Sequence, residues 1–152
     1  MSASTEEPWA YAIGESDEGP TTTRIRTRAP DEDEKADYPR LVMIRWAFDS
    51  DEPHMPEDED LDSMAEFENT LDAAMASGGW GKLAAVVTRD KTREWRIYTP
   101  DFDRFQDGLN DALMGQPRYP LTFELFEDAD WDGYDVIASA LDWSKLDGAR
   151  PS

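Results

Sequence analysis

Carboxylates are the residues of this chain most able to do chemistry, and they crowd into residues 49–60, which hold seven Asp or Glu, two prolines and the only histidine, His54. A cluster of this kind can hold a hard cation through several oxygens at once. The spacing here does not build that site. Asp58, Asp60 and Asp62 imitate the opening of a calcium loop, but Ser63 stands where glycine should turn, and Asn69 occupies the twelfth position in place of Glu. His54 with Asp51 or Glu57 would give zinc a single imidazole, and the chain has no cysteine to complete the set. No metal and no cofactor are expected, and the run reads as a solvated loop.

Other chemistries fare no better. Glycoside hydrolysis needs two carboxylates at a set separation; with thirty-five acidic residues some pair meets that condition by chance, so the pattern selects none. A nucleophilic triad needs a base beside Ser or Cys, and here one loop histidine serves the whole chain without a Gly-x-Ser-x-Gly turn. The close-set glycines Gly78, Gly79 and Gly81 follow a helical pattern and not a strand, so they read as a helix stop and not as a phosphate cradle. Trp46, Trp95 and Trp131 have the area to stack a ligand, but the first two lie at alternating strand positions and all three read as core.

The composition bounds what remains. A chain of 152 residues with 39% apolar residues and six tryptophans can bury the core of one domain despite its acidity. A net charge of -20 repels phosphate backbones and anionic lipids, so nucleic acid and membrane are poor partners, and a basic protein is a good one. Without cysteines, a basic leader or a long apolar run, the chain is expected to be cytoplasmic.

The elements that must position these residues follow from periodicity. Alternation over 9–13 and 21–28 predicts a β-hairpin, with Arg24, Arg26 and Arg28 sharing one face and pairing with the protein's own carboxylates. Residues 30–37 read as a charged linker. Residues 41–48 are the clearest strand, with Val42, Ile44, Trp46 and Phe48 on one face. Leu61, Met64, Phe67, Leu71, Ala74 and Met75 recur at helical spacing. Strands over 83–88 and 94–98 form a hairpin, a second helix begins after Pro100 and Asp101, and Leu121, Phe123 and Leu125 mark a last strand. A short terminal helix would turn Val136, Ile137, Ala140 and Leu141 inward. The order from Leu41 to Phe126 is βαββαβ, which predicts an α+β fold of ferredoxin-like split βαβ type: an antiparallel sheet with both helices on one face, extended or covered by the N-terminal hairpin. A single domain over 9–143 is expected between disordered tails, 1–8 and 144–152.

Several short motifs carry a resemblance. Trp9, Tyr38-Pro39, Trp46, Met55-Pro56, the segment from Arg93 to Tyr98, Tyr119-Pro120, and Glu127-Asp128 followed by Trp131 and Tyr134 resemble, in this order, a bacterial family known as domain of unknown function 695. That family is distantly similar to the regulator of ribonuclease E activity B and to toxin-immunity proteins, which implies inhibition by binding. The resemblance implies no contact residues.

The sequence therefore leads to a non-catalytic acidic binding protein, an immunity protein or regulator that occludes a basic toxin or nuclease. Asp49, Asp51, Glu52, Glu57, Asp58 and Asp60 form one expected contact patch, and Glu127, Asp128 and Asp130 a second. The alternative is a small carboxylate-based enzyme or a metal- or ligand-binding domain. Oligomeric state is left open.

Overall fold

Alternating apolar residues become strands where a second row can cover them, and the computed structural model shows how the rows meet. It describes residues 9–16, 19–51 and 55–141; the expected disordered tails, Glu52 and His54 lie outside that set. The strands are β1 Trp9–Ser16, β2 Gly19–Arg26, β3 Arg40–Ala47, β4 Lys82–Arg89, β5 Thr92–Thr99 and β6 Leu121–Glu127. The helices are α1 Glu32–Asp37, α2 Asp58–Gly78, α3 Phe102–Leu113 and α4 Asp132–Ala140. All six strands join one antiparallel sheet in the order β1-β2-β4-β5-β3-β6. Of the two places expected for the N-terminal hairpin, extending or covering the sheet, the structure has the first: β2 pairs with β4 and brings the sheet to six strands.

Local signals place the joints. Asp90 and Lys91 both adopt positive φ (50° and 58°), the two-residue turn whose twist matches that of the strands β4 and β5. Asp101 caps α3 by accepting a hydrogen bond from the Arg104 amide at 3.1 Å. Gly79, at φ 67°, ends α2 in the left-handed conformation that glycine adopts without a Cβ penalty.

The register puts Val42, Ile44 and Trp46 of β3 on the same face as Trp95 and Ile97 of β5. That face packs under Met64, Phe67, Leu71 and Met75 of α2 and Phe105 and Leu109 of α3, forming the larger core. Within it Phe67 stands edge-on to Trp95, ring centroids 5.1 Å apart. The opposite face carries a smaller core, in which Ile25, Leu41, Ala85 and Tyr98 meet Trp131, Tyr134 and Ala138. The structure is thus α2 and α3, then sheet, then α4. Of the four residues expected to face inward, Ile137 and Leu141 pack on this core beside the buried Tyr134 and Ala138, whereas Val136 and Ala140 are exposed. The reason is Trp131, which enters the smaller core just before the helix and sets its rotation.

Residues 30–37 are not a plain linker. Asp31 accepts from the Glu34 amide at 2.8 Å and starts α1, which delivers Glu34 into the interior. There Arg26 grips both carboxylate oxygens, at 2.7 and 3.2 Å, and Lys82 donates at 2.7 Å. Arg24 pairs with Glu68 of α2. Two members of the basic stripe are therefore neutralised by the protein's own carboxylates, as their setting in an acidic chain predicts.

Burial would raise Glu34's pKa, but the hydrogen bonds from Arg26 and Lys82 outweigh it and hold the carboxyl below its ordinary 4.5. A lowered folded-state pKa contributes stability that is present above 4.5 and lost as pH falls through the folded value. Glu34→Gln should cost about 3 kcal/mol at pH 7, because it strands a buried guanidinium. Urea unfolding of both proteins should show this gap closing as pH drops below 4.5; a gap that stays constant with pH would mean that the charge of Glu34 is not what stabilises the junction.

Candidate functional site

Beside α3 the face that carries the larger core runs out of cover. In β6, Leu121, Phe123 and Leu125 pair with Trp46, Ile44 and Val42, so they lie on the same face as the larger core. Phe123 remains 46% exposed and Leu125 54%. With Phe102, Phe105, Leu109 and Leu113 of α3 as its wall, this row floors a groove of about 870 Å³. Asp103, Gln106 and Asn110 line the helix side at helical spacing, and Arg118 and Tyr119 line the segment that returns to β6. Tyr119 rests against Trp46, centroids 5.2 Å apart, and its buried hydroxyl has no hydrogen-bond partner among the described residues. Burial, with the Glu66 charge second, raises that hydroxyl's pKa. The lining offers apolar area and a polar edge, and no paired carboxylates or nucleophile–base couple.

The expected contact residues fall at two separate places. Ala47 ends β3 at the end where Trp46 faces Leu121, so Asp49 and Asp51 leave the sheet there. Asp49 is exposed and meets Lys91 at 3.4 Å. Glu57 sits at the N-cap of α2 without a side-chain cap bond, and Asp58 and Asp60 lie in its first turn, where the helix dipole favours negative charge. Helix α2 thus begins inside the stretch expected to be loop. Glu127 pairs with Arg40 at the opposite end of β6, at 3.2 Å, and Asp130 is exposed. The structure does not merge the two patches; β6 runs from one end to the other.

Asp128 has an internal task. Its carboxylate accepts from the Tyr98 hydroxyl at 2.6 Å and from the amides of Asp132 and Gly133 at 2.8 and 2.9 Å, starting α4. Burial and the Asp128 hydrogen bond push the Tyr98 hydroxyl's pKa far up, so it stays a donor. Trp131 takes a left-handed backbone (φ 59°) that a bulky residue resists. It is held by parallel stacking on Tyr98 at 3.9 Å and by donation from its indole to the Tyr38 carbonyl at 2.9 Å.

Other charged groups are engaged within the fold. Glu68 accepts from Arg24 and from the Trp95 indole, and Glu68 and Arg24 line a second cavity of about 590 Å³ with Trp9 and Lys82. Burial opposes ionisation of Glu94, but Arg96 and Arg45 overcome it and hold its pKa low. Among the described residues no three acidic or imidazole side chains gather as a metal site, and no helix is long and apolar enough to cross a membrane.

Residues 7–137 match the family described as Family of unknown function (DUF695). The chain belongs to this family. No curated protein matches it. The motifs that carried the resemblance have structural tasks: Tyr38, Pro39, Asp128, Trp131 and Tyr134 assemble the α4 junction, where the Pro39 carbonyl accepts from the Asp128 amide at 2.9 Å. Trp46, Trp95 and Tyr119 build the aromatic core around Phe67. Sequence reasoning missed the groove, because the alternation of Leu121, Phe123 and Leu125 reads the same over a covered face as over an open one.

Two contrasts check these assignments by denaturant unfolding. Asp128→Ala should cost about 2–4 kcal/mol through the lost cap and the orphaned Tyr98 hydroxyl, whereas Asp130→Ala should stay within about 0.5 kcal/mol. Phe123→Ser and Leu125→Ser should each cost less than about 1.5 kcal/mol, against about 3–5 kcal/mol for Phe105→Ala in the core. Equal losses in either contrast would reverse the division between scaffold and site.

Proposed function

We propose that this protein is a non-catalytic acidic binding protein of the cytoplasm, an immunity protein or regulator that inhibits a basic toxin or nuclease by occluding it. The carrying observation is the open apolar groove beside β6, which lies between two acidic ends on a chain of net charge -20. Apolar surface left on a sheet edge favours a partner that covers it, and the surrounding charge selects a cationic one and speeds its approach. The interior pairing of Glu34, Glu68 and Glu94 favours this reading over a carboxylate-based enzyme, since these groups are committed to arginine, lysine and indole donors.

The fold is consistent with that class. The segment β4-β5-β3-β6 with α2 and α3 on one face has the order of a ferredoxin-like split βαβ unit, and we read the β1–β2 hairpin as an extension of it. The resemblance to the regulator of ribonuclease E activity B and to immunity proteins points to the same mode of action, a complementary surface without chemistry.

The test is capture of a basic protein from the host at low and moderate salt, followed by assay of its activity with and without this chain. A stoichiometric partner that is inhibited on binding is the expected result. Changing Asp49, Asp51, Asp58 and Asp60 to Asn should lower the association rate and flatten its salt dependence. An empty capture at both salts, together with a melting temperature raised by micromolar divalent metal, would replace this reading with the metal- or ligand-binding one.

A further inference from the structure

We infer that the outer edge of β6 receives one extended segment of the basic partner, which joins the sheet as an added strand with apolar side chains at alternate positions and Lys or Arg between them. This rests on the binding reading above and names the part of the partner that is held and the way it is held.

Strand β6 closes the sheet order and pairs with β3 on one side. In an antiparallel strand every second residue turns its N–H and C=O away from the partner, and among the described strands none pairs with β6 beyond β3, so β6 presents a row of backbone groups outward. Edges of this kind are usually blunted by proline, lysine, a bulge or a covering element. The sequence LTFELFE has no proline or lysine, and its register with β3 runs without a break from Leu121 to Glu127. Its groove-side row is apolar and walled by α3, while Thr122, Glu124 and Phe126 point to the other side.

An added strand sends its own side chains in these same two directions. Those beside Phe123 and Leu125 enter the groove and must be apolar. Those on the other side meet Glu124, half exposed beyond its bond to Arg45, and the strand's ends approach Asp49 and Asp51 at one limit and Glu127 and Asp130 at the other. Charge also argues against a second copy of this chain as the occupant. Two β6 strands paired about a two-fold axis in full register would set Glu124 opposite Glu124 and bring together two chains of charge -20.

The experiment uses the full chain and a labelled eight-residue peptide of alternating Val and Lys. Binding is read by fluorescence anisotropy, and backbone protection by amide hydrogen exchange. With peptide at about ten times its Kd, the outward amides among residues 121–127 should exchange about tenfold more slowly. Phe123→Ser and Leu125→Ser, whose folding is verified by melting, should each weaken binding at least about tenfold. A peptide of the same composition in separate Val and Lys blocks, and one alternating Val and Glu, should bind at least about tenfold more weakly. No binding, binding without protection of residues 121–127, or equal binding of the block peptide would overturn strand addition. So would concentration-dependent dimerisation abolished by Phe123→Ser, which would give the edge to a second copy. If a basic partner from the host still binds the two serine variants undiminished, strand addition fails and the binding reading stands; if nothing basic binds the wild-type chain, the binding reading itself falls.

Discussion

The width of the sheet against the reach of its helices governs the whole structure. Six strands about 4.8 Å apart span about 24 Å, whereas two helices packed side by side cover about 20 Å. Helices α2 and α3 lie over the middle strands, and the outer strands at both ends keep apolar residues in solvent: Tyr11 and Ile13 on β1, Phe123 and Leu125 on β6. The two edges differ in what stands beside them. At β6 the wall of α3 turns an uncovered row into a groove, and this makes the edge a site.

An acidic chain still had to neutralise the charges it folded inward. The few basic residues are spent at junctions between elements: Arg26 and Lys82 on Glu34 where α1 meets the sheet, Arg24 on Glu68 where α2 meets β2, and Arg45 and Arg96 on Glu94 across β3 and β5. The buried pair Arg26–Glu34 contributes little net energy against an apolar alternative, yet losing one partner is costly, so it fixes which elements dock there, and the half-buried pairs do so more weakly. With these cations committed inside, the remaining acids set the outer field. Arg93 shows how tightly positive charge is packed: desolvation, and then the neighbouring Arg24, lower its pKa.

The small core under α4 is similarly conditional. Trp131 holds a strained left-handed backbone because its ring is stacked on Tyr98 and its indole is bonded to Tyr38, and Asp128 ties Tyr98 to the helix start. A residue expected to be an outward contact is here a structural clamp. Side chains place this helix: with Trp131 seated in the smaller core, Tyr134, Ile137, Ala138 and Leu141 turn inward and Val136 and Ala140 face solvent.

The sequence by itself determined the type and order of every element except α1, and the middle of the core, because strand and helix periods are local and strong: Val42, Ile44 and Trp46 at every second position, and Met64, Phe67 and Leu71 at every third or fourth. It also determined that basic side chains in so acidic a chain would find internal partners. Only the tertiary structure decided that residues 30–37 form a helix carrying Glu34 inward, that Asp128 faces inward while Asp130 faces solvent, and that the row on β6 is open. Each of these depends on what arrives from far along the chain, Arg26 and Lys82, Tyr98, or the wall of α3. A local pattern states which face of an element is apolar; whether another element covers that face is settled by the dimensions of the assembled layers.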